Sequence, residues 1–343
     1  METKIIHPEQ LNEAVIAIQE GALVSFPTET VYGLGADATN EGAVKNVYTA
    51  KGRPSDNPLI VHVASKEQVL DYVETISPNA QKLMDTFWPG PLTLIFKLKK
   101  ESGLSKTVTG GLDTAAFRMP NNQLTLDLIK QSGKALVGPS ANTSGRPSPT
   151  TAQHVFHDLS GKIFGILDGG VCQVGVESTV LDMSNSEASP IILRPGAVTK
   201  GQIESVIGAI EVNQHVLSEE EKPKAPGMKY KHYSPKTPVL MIDWEQENWQ
   251  AAIDDYKQKN QRVGIMINDE MRTTLSHYDE YFSLSKTRNV KDAMHGLFAG
   301  LRFLDDISPD LDIIFVETYP EKDEGLAYMN RLKKASNQKI YLN

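Results

Sequence analysis

The chain has 343 residues, of which 23% are charged and 40% hydrophobic, and its net charge is −8. That balance suits a soluble protein with a buried core, and the acidic excess argues against a general nucleic-acid coat or attachment to an anionic membrane. The length favours two domains, and a lone cysteine, Cys172, excludes a disulfide framework or a cysteine-based zinc site within the chain.

No apolar run reaches membrane-spanning length. The start, Met1-Glu2-Thr3-Lys4, lacks the basic-then-apolar pattern of a signal peptide, so the expected location is cytoplasmic. Periodicity predicts a first helix over 11–20, with Leu11, Ala14, Val15 and Ile18 on one face. A strand over 22–26 follows and ends at Pro27, which has no N–H for a ladder. Thr28, Glu29, Thr30 and Tyr32 then crowd into five positions, and Gly33 and Gly35 let the chain turn or a ligand approach. Two readings stay open there, an ordinary strand-to-helix loop and a ligand loop.

A helix over 41–50 leads into Lys51-Gly52-Arg53-Pro54-Ser55-Asp56-Asn57-Pro58 and a strand over 59–63. A basic loop with a rigid path suits an anionic ligand, because little entropy is lost in aiming its cations. His62 is either a core histidine or a ligand contact. Helices are expected over 66–73 and 79–87, then the rigid turn Trp88-Pro89-Gly90-Pro91 and a strand over 92–98. A polar loop over 107–114 precedes a strand over 115–119. Arg118 lies inside that apolar strand, where a charge is costly unless paired; it implies either a structural ion pair or an anionic ligand.

A helix over 124–131 and a strand over 135–138 open a third polar loop, 139–148. A helix over 151–159, a strand over 163–167, the turn Asp168-Gly169-Gly170 and a strand within 175–182 follow. Residues 191–196 run from an apolar strand to Arg194 and a Pro-Gly turn. Residues 213–238 form the expected linker. Within it, Glu219-Glu220-Glu221 suits a solvated run, whereas 225–235 mixes cations and aromatics between prolines and is either plain linker or a segment folded over something. From 239 onward strands (239–242, 262–267, 281–284, 312–316) alternate with helices (246–258, 290–305, 325–335), which predicts a small parallel α/β domain.

P-loop, dinucleotide, zincin and nucleophile-elbow signatures are all missing. What remains is a set of loops with Lys51, Arg53, Arg118, Arg146 and Arg194 as cations and Thr28, Thr114, Ser140, Asn142, Ser148 and Ser178 as neutral donors. Such a set suits a polyanionic ligand handled by positioning and electrostatics rather than by a covalent nucleophile. Cys172 fits a small semi-buried residue better than a catalytic thiol.

The run Phe26-Pro27-Thr28-Glu29-Thr30-Val31-Tyr32-Gly33-Leu34, with Lys51-Gly52-Arg53-Pro54 and Asn57-Pro58, resembles the YrdC-type family of L-threonylcarbamoyladenylate synthases. Trp88-Pro89-Gly90-Pro91-Leu92-Thr93, Arg118-Met119-Pro120, Pro139-Ser140-Ala141-Asn142, Val176-Glu177-Ser178-Thr179 and Leu193-Arg194-Pro195-Gly196 match in the same order. The segments 225–233 and 325–331 resemble the long, two-domain form.

The resemblance implies an α/β fold: an open, twisted-sheet, YrdC-like catalytic domain with a concave cleft over 1–212, a linker and active-site lid over 213–238, and a smaller Rossmann-like parallel α/β domain over 239–343. It implies that ATP, L-threonine and bicarbonate give threonylcarbamoyl-AMP and pyrophosphate, with Mg²⁺ accompanying ATP and no tightly bound organic cofactor. The product would feed other proteins that modify the adenosine beside the tRNA anticodon, with no stable nucleic-acid or membrane binding by this chain. Thr28, Tyr32, His62, Arg118 and Ser178 would surround threonine. Lys51, Ser55, Asn57, Thr114, Ser140, Asn142, Ser148, Arg194 and Tyr230 would hold ATP, with Lys51 and Arg53 as catalytic cations near its phosphates. Residues 226–233 would close as a lid. Two other readings remain, an RNA-binding module and an adenylate- or carbamoyl-forming enzyme acting on another amine.

Overall fold

The computed structural model describes residues 2–185, 187–213, 223–224, 233–243, 249–307 and 310–341. The chain forms two compact units. The first comprises 1–144, 149–173 and 177–230, and the second comprises 145–148, 174–176 and 231–343. Most of the expected linker, 213–238, falls outside the described residues.

In the first unit the strands are β1 (Lys4–Ile6), β2 (Val24–Phe26), β3 (Gly33–Asp37), β4 (Ile60–His62), β5 (Leu92–Lys97), β6 (Thr114–Arg118), β7 (Leu136–Val137), β8 (Gly165–Leu167), β9 (Thr179–Asp182), β10 (Ile191–Arg194) and β11 (Glu211–Val212). The helices are α1 (Leu11–Gln19), α2 (Glu41–Lys51), α3 (Pro78–Phe87), α4 (Gln123–Ser132), α5 (Ala152–Leu159) and α6 (Lys200–Ile207). One mixed sheet runs in the order β1-β8-β2-β3-β7-β4-β6-β5-β9-β10-β11.

Helix ends follow local chemistry. Asn40 caps α2 through the Ala43 N–H, and Gly52 closes it in the left-handed region at φ 63°. Thr199 and Gln202 form a capping box on α6, a helix that the sequence pattern did not single out. Residues 66–73, expected as a helix, fold only as a short 3-10 turn over Glu67–Asp71.

The sheet is buried on both faces, and adjacent residues alternate between them. Leu23, Val137, Ile166 and Phe117 join the larger core under α2, α3 and α5. Val24, Leu136 and Leu167 face the other way, beneath α1 and α4. Further along that second face lies a small apolar patch of Ile60, Ile95, Ala116 and Val180.

Gly33 and Gly35 do not turn the chain. They sit in β3, antiparallel to β2, where an added Cβ would fall 2.7 Å and 2.9 Å from the Phe26 ring. Their missing side chains seat that ring, so the polar turn is the shorter stretch 27–32 that joins a hairpin.

In the second unit β12 (Val239–Ile242), β13 (Val263–Ile267), β14 (Glu280–Ser283) and β15 (Ile313–Glu317) form an all-parallel sheet in the order β12-β15-β13-β14. The helices α7 (Trp249–Gln258), α8 (Asp269–Arg272), α9 (Val290–Ile307) and α10 (Glu324–Ala335) connect or follow them. Strands such as β13 and β15 are buried throughout, as expected of a parallel sheet covered on both faces.

Candidate active site

Strand pairing collects the site. His62 and Arg118 are register partners at the ends of β4 and β6. Each lies two residues beyond a member of the small apolar patch, Ile60 and Ala116 respectively, so the pleat puts both on that face. The same parity places Thr93, two before Ile95, and Ser178, two before Val180. Their hydroxyls meet at 2.8 Å.

Arg118 is 4% exposed. Its Nη1 donates to the Thr30 hydroxyl at 2.9 Å and its Nε to the Gly90 carbonyl at 3.2 Å. Its Nη2 lies 2.5 Å from Oε2 of Glu29, whose side chain is equally buried. The charges are paired, yet neither Glu29 oxygen nor Arg118 Nη2 has a partner in hydrogen-bond geometry. Such a pair is poorly compensated for its lost hydration, and a buried group in that state invites a ligand. Of the two readings left open for Arg118, the structural ion pair is therefore present.

Thr28 has another duty. Its hydroxyl donates to the Val31 carbonyl at 2.6 Å and accepts the Thr30 and Val31 N–H groups at 3.1 and 3.2 Å. It closes the turn that presents Glu29 and Thr30.

His62 is fully buried, packs edge-on to Phe26 at 5.3 Å and has no hydrogen-bond partner at Nδ1. Burial, helped by the nearby Arg118 charge, pushes its pKa down to about 3, so the ring is neutral. Gly138 permits this packing: a Cβ there would fall 2.6 Å from the His62 ring. Tyr32 is buried and donates to the Gly170 carbonyl at 2.8 Å while accepting the Gly169 N–H at 3.1 Å. Burial raises its hydroxyl pKa, so it serves as a neutral anchor of the turn after β8. Cys172, 2% exposed, feels the charges of Glu29 and Arg118, and burial pushes its thiol up to about 12. It is an unreactive neighbour of the ion pair.

Lys51 ends α2 and is 2% exposed. Its ammonium donates to the carbonyls of Ser140 and of Asn142, the latter at 2.7 Å. Ser144 N–H donates to the Lys51 carbonyl at 2.8 Å, so the basic loop and the 138–144 loop are clamped together. Arg53 donates to the main-chain carbonyls of Asn57 and Pro58 at 3.4 and 3.3 Å. Asn57 is 1% exposed, and neither polar atom of its side-chain amide has a partner. Ser55 is exposed and Thr114 half-buried. Arg53 and Ser55 share a cavity of about 910 Å³ with Lys45, Tyr48 and Lys106.

Arg194 is buried and braces the Ser178 peptide, donating to its carbonyl through Nε at 3.1 Å and Nη2 at 3.0 Å. Ser148 is fully buried in the segment Gly145–Ser148, which belongs to the second unit. In that unit Arg146 pairs with Asp305 and Asp306, both at 3.0 Å. Tyr230 and residues 226–232 of the expected lid lie outside the described residues. Among the described residues no cluster of His, Cys, Asp or Glu is placed to hold a metal ion, and no helix is long and apolar enough to cross a membrane.

The structure thus brings Arg118, His62, Thr28 and Ser178 to one face and clamps Lys51 to Ser140 and Asn142. The sequence assigns no individual binding role to Glu29 or Thr30, and it places Cys172 as a small residue rather than a thiol nucleophile, consistent with its burial. For Glu29 the available signal was an acid inside a turn bounded by Pro27 and Gly33.

A family model described as "Telomere recombination" matches residues 16–196, and one described as "Threonylcarbamoyl-AMP synthase, C-terminal domain" matches residues 198–337. The chain is 46% identical over 331 residues to a threonylcarbamoyl-AMP synthase of Bacillus subtilis, covering 96% of this chain and 94% of the relative. It is 44% identical to one from Pyrococcus abyssi, covering 94% and 93%. The solved structure of P. abyssi Sua5 complexed with L-threonine superposes with a TM-score of 0.90 at 42% identity, covering 98% of this chain and 99% of that one. The expected α/β fold, a YrdC-like domain followed by a C-terminal domain with a parallel sheet, stands in that comparison. The chain belongs to the threonylcarbamoyl-AMP synthase family, in its long two-domain form.

Proposed function

We propose that this chain makes threonylcarbamoyl-AMP and pyrophosphate from ATP, L-threonine and bicarbonate, and that its product serves the threonylcarbamoyl modification of tRNA beside the anticodon. The observation that carries this reading is the correspondence, over 98% of the chain, with P. abyssi Sua5 complexed with L-threonine.

The residues suit that chemistry. The threonine amine attacks carbon dioxide, releasing a proton, or bicarbonate, releasing water, to give a carbamate. A carbamate oxygen then attacks the α-phosphorus of ATP and pyrophosphate leaves. Arg118 takes the threonine carboxylate. Neutral His62, Ser178 and Tyr32 shape the pocket without adding charge, and Thr28 acts by holding the turn. Asn57, Asn142, Ser140, Thr114 and Arg194 line the nucleotide side, with Ser55, Ser148 and Tyr230 as further contacts. Lys51 and Arg53 stabilise charge that develops on the leaving phosphates. Mg²⁺ would enter as part of the MgATP substrate.

The catalytic domain is assigned to 1–212, the lid to 213–238 and the second domain to 239–343, with action in the cytoplasm and transfer to tRNA by other proteins. Pyrophosphate release from MgATP, with threonine and bicarbonate omitted in turn and the product weighed by mass spectrometry, tests the reading. Release that needs both and a threonylcarbamoyl-AMP mass support it. Release indifferent to threonine points to another amine, and RNA binding without ATP turnover points to a binding module.

A further inference from the structure

The threonine side of the site contains more than a carboxylate receptor. Three buried polar atoms without a partner in hydrogen-bond geometry meet there: both oxygens of Glu29 and Arg118 Nη2. The turn 27–32 holds Glu29 in place, because the Thr28 hydroxyl is consumed by the turn's own backbone and Thr30 is bonded to Arg118. Glu29 and Arg118 side chains are each 4% exposed, so bulk water does not reach them.

A single cation would suit any small carboxylic acid. A cation beside a carboxylate that lacks donors suits a ligand carrying both an anion and a hydrogen-bonding cation, which is the constitution of an α-amino acid zwitterion. Insertion of such a ligand into the ion pair leaves the net charge of the site unchanged. It exchanges one poorly angled contact for two charge-assisted ones.

We propose that Glu29 receives the ammonium group of L-threonine while Arg118 takes its carboxylate, so that Glu29 makes the site selective for amino acids over simple hydroxy acids. The proposal rests on the reading of this face as the threonine site. Without an ammonium, a bound hydroxy acid that draws off Arg118 leaves the Glu29 carboxylate buried and unpaired, which costs far more than a missing neutral contact.

The test compares L-threonine with (R)-3-hydroxybutanoate, its analogue without the amino group, by calorimetric titration of the full chain and of Glu29→Gln. In the unsubstituted protein threonine should bind about 10- to 100-fold more tightly, the range expected of a hydrogen bond to a buried charge. In Glu29→Gln that preference should collapse toward parity, with ATP binding and the melting midpoint showing that the fold is intact.

A preference preserved in Glu29→Gln overturns the proposal. So does equal weakening of both ligands, which would make Glu29 only a brace for Arg118. If Glu29→Gln does not fold, Glu29→Asp carries the test: the shortened carboxylate should weaken threonine more than the hydroxy acid, and equal weakening overturns the assignment. Failure of the unsubstituted protein to bind threonine at all would overturn instead the function on which the proposal rests.

Discussion

The Lys51 ammonium donates to the main-chain carbonyl of Asn142 at 2.7 Å across 91 residues of sequence. A cation expected to meet phosphates is therefore also the clamp between two loops. Lys51→Met removes charge-assisted hydrogen bonds, each a net contribution of roughly 1.5–3 kcal/mol. It should lower the melting midpoint by several degrees and weaken ATP, while threonine binding stays near that of the unsubstituted protein. Calorimetry with each substrate separates the effects. Unchanged stability together with unchanged ATP affinity would remove Lys51 from both roles.

Arg118 answers to Glu29 as well as to substrate. Arg118→Ala leaves a buried carboxylate alone, at a cost of roughly 3–5 kcal/mol, and it should raise the threonine requirement far more than the ATP requirement. Arg118→Lys keeps the charge but not the planar fork, so it should restore stability better than threonine affinity. Steady-state kinetics against each substrate, with urea unfolding, checks both parts. Equal loss for threonine and ATP would undo the carboxylate assignment.

His62 makes stability depend on pH in a defined direction. Its pKa falls from 6.5 in the unfolded chain to about 3 in the fold, so the fold binds the neutral ring. Its contribution is complete above pH 6.5 and is lost as pH falls toward about 3, because only the unfolded chain then takes the proton. The slope reaches at most about 1.4 kcal/mol per pH unit. Urea midpoints measured from about pH 7 to about pH 5 should fall more steeply for the unsubstituted protein than for His62→Asn. Parallel profiles would mean that His62 titrates normally.

Much of this was legible in the sequence, for reasons that can be named. Pro27 and Pro120 end strands because they lack an N–H, and the strand–helix alternation after residue 239 marks a parallel sheet from pattern alone. Arg118 is conspicuous in an apolar strand, and both readings of it depended on a partner 89 positions away. That partner, Glu29, could not be identified without the pairing of β4 with β6 and the closure of the turn after β2. Gly33 and Gly35 read as a turn or a ligand approach, and spacing does not reveal that they seat the Phe26 ring. Nor does spacing reveal that Arg146, Arg118 and Lys51 each meet an acceptor distant in sequence.

Asn57 offers the sharpest separation of stability from binding. Its backbone is fixed independently of its side chain, since both Tyr48, at 2.9 Å, and Arg53, at 3.4 Å, donate to its carbonyl. The side-chain amide is buried with neither polar atom partnered, a state that costs about 1–3 kcal/mol per unsatisfied group. Asn57→Leu keeps the branched shape, at a larger volume, and removes both polar groups, so the ligand-free protein should melt higher. If the nucleotide is what completes the amide, the same substitution should shrink the upward shift that MgATP gives to the melting midpoint, because ligand stabilisation follows affinity. Raised stability with lowered affinity is the trade-off expected where a site holds unsatisfied polar groups for its ligand. A variant that melts lower than the parent, or that keeps the full ATP-induced shift, would show that the amide is satisfied in some way other than by the nucleotide.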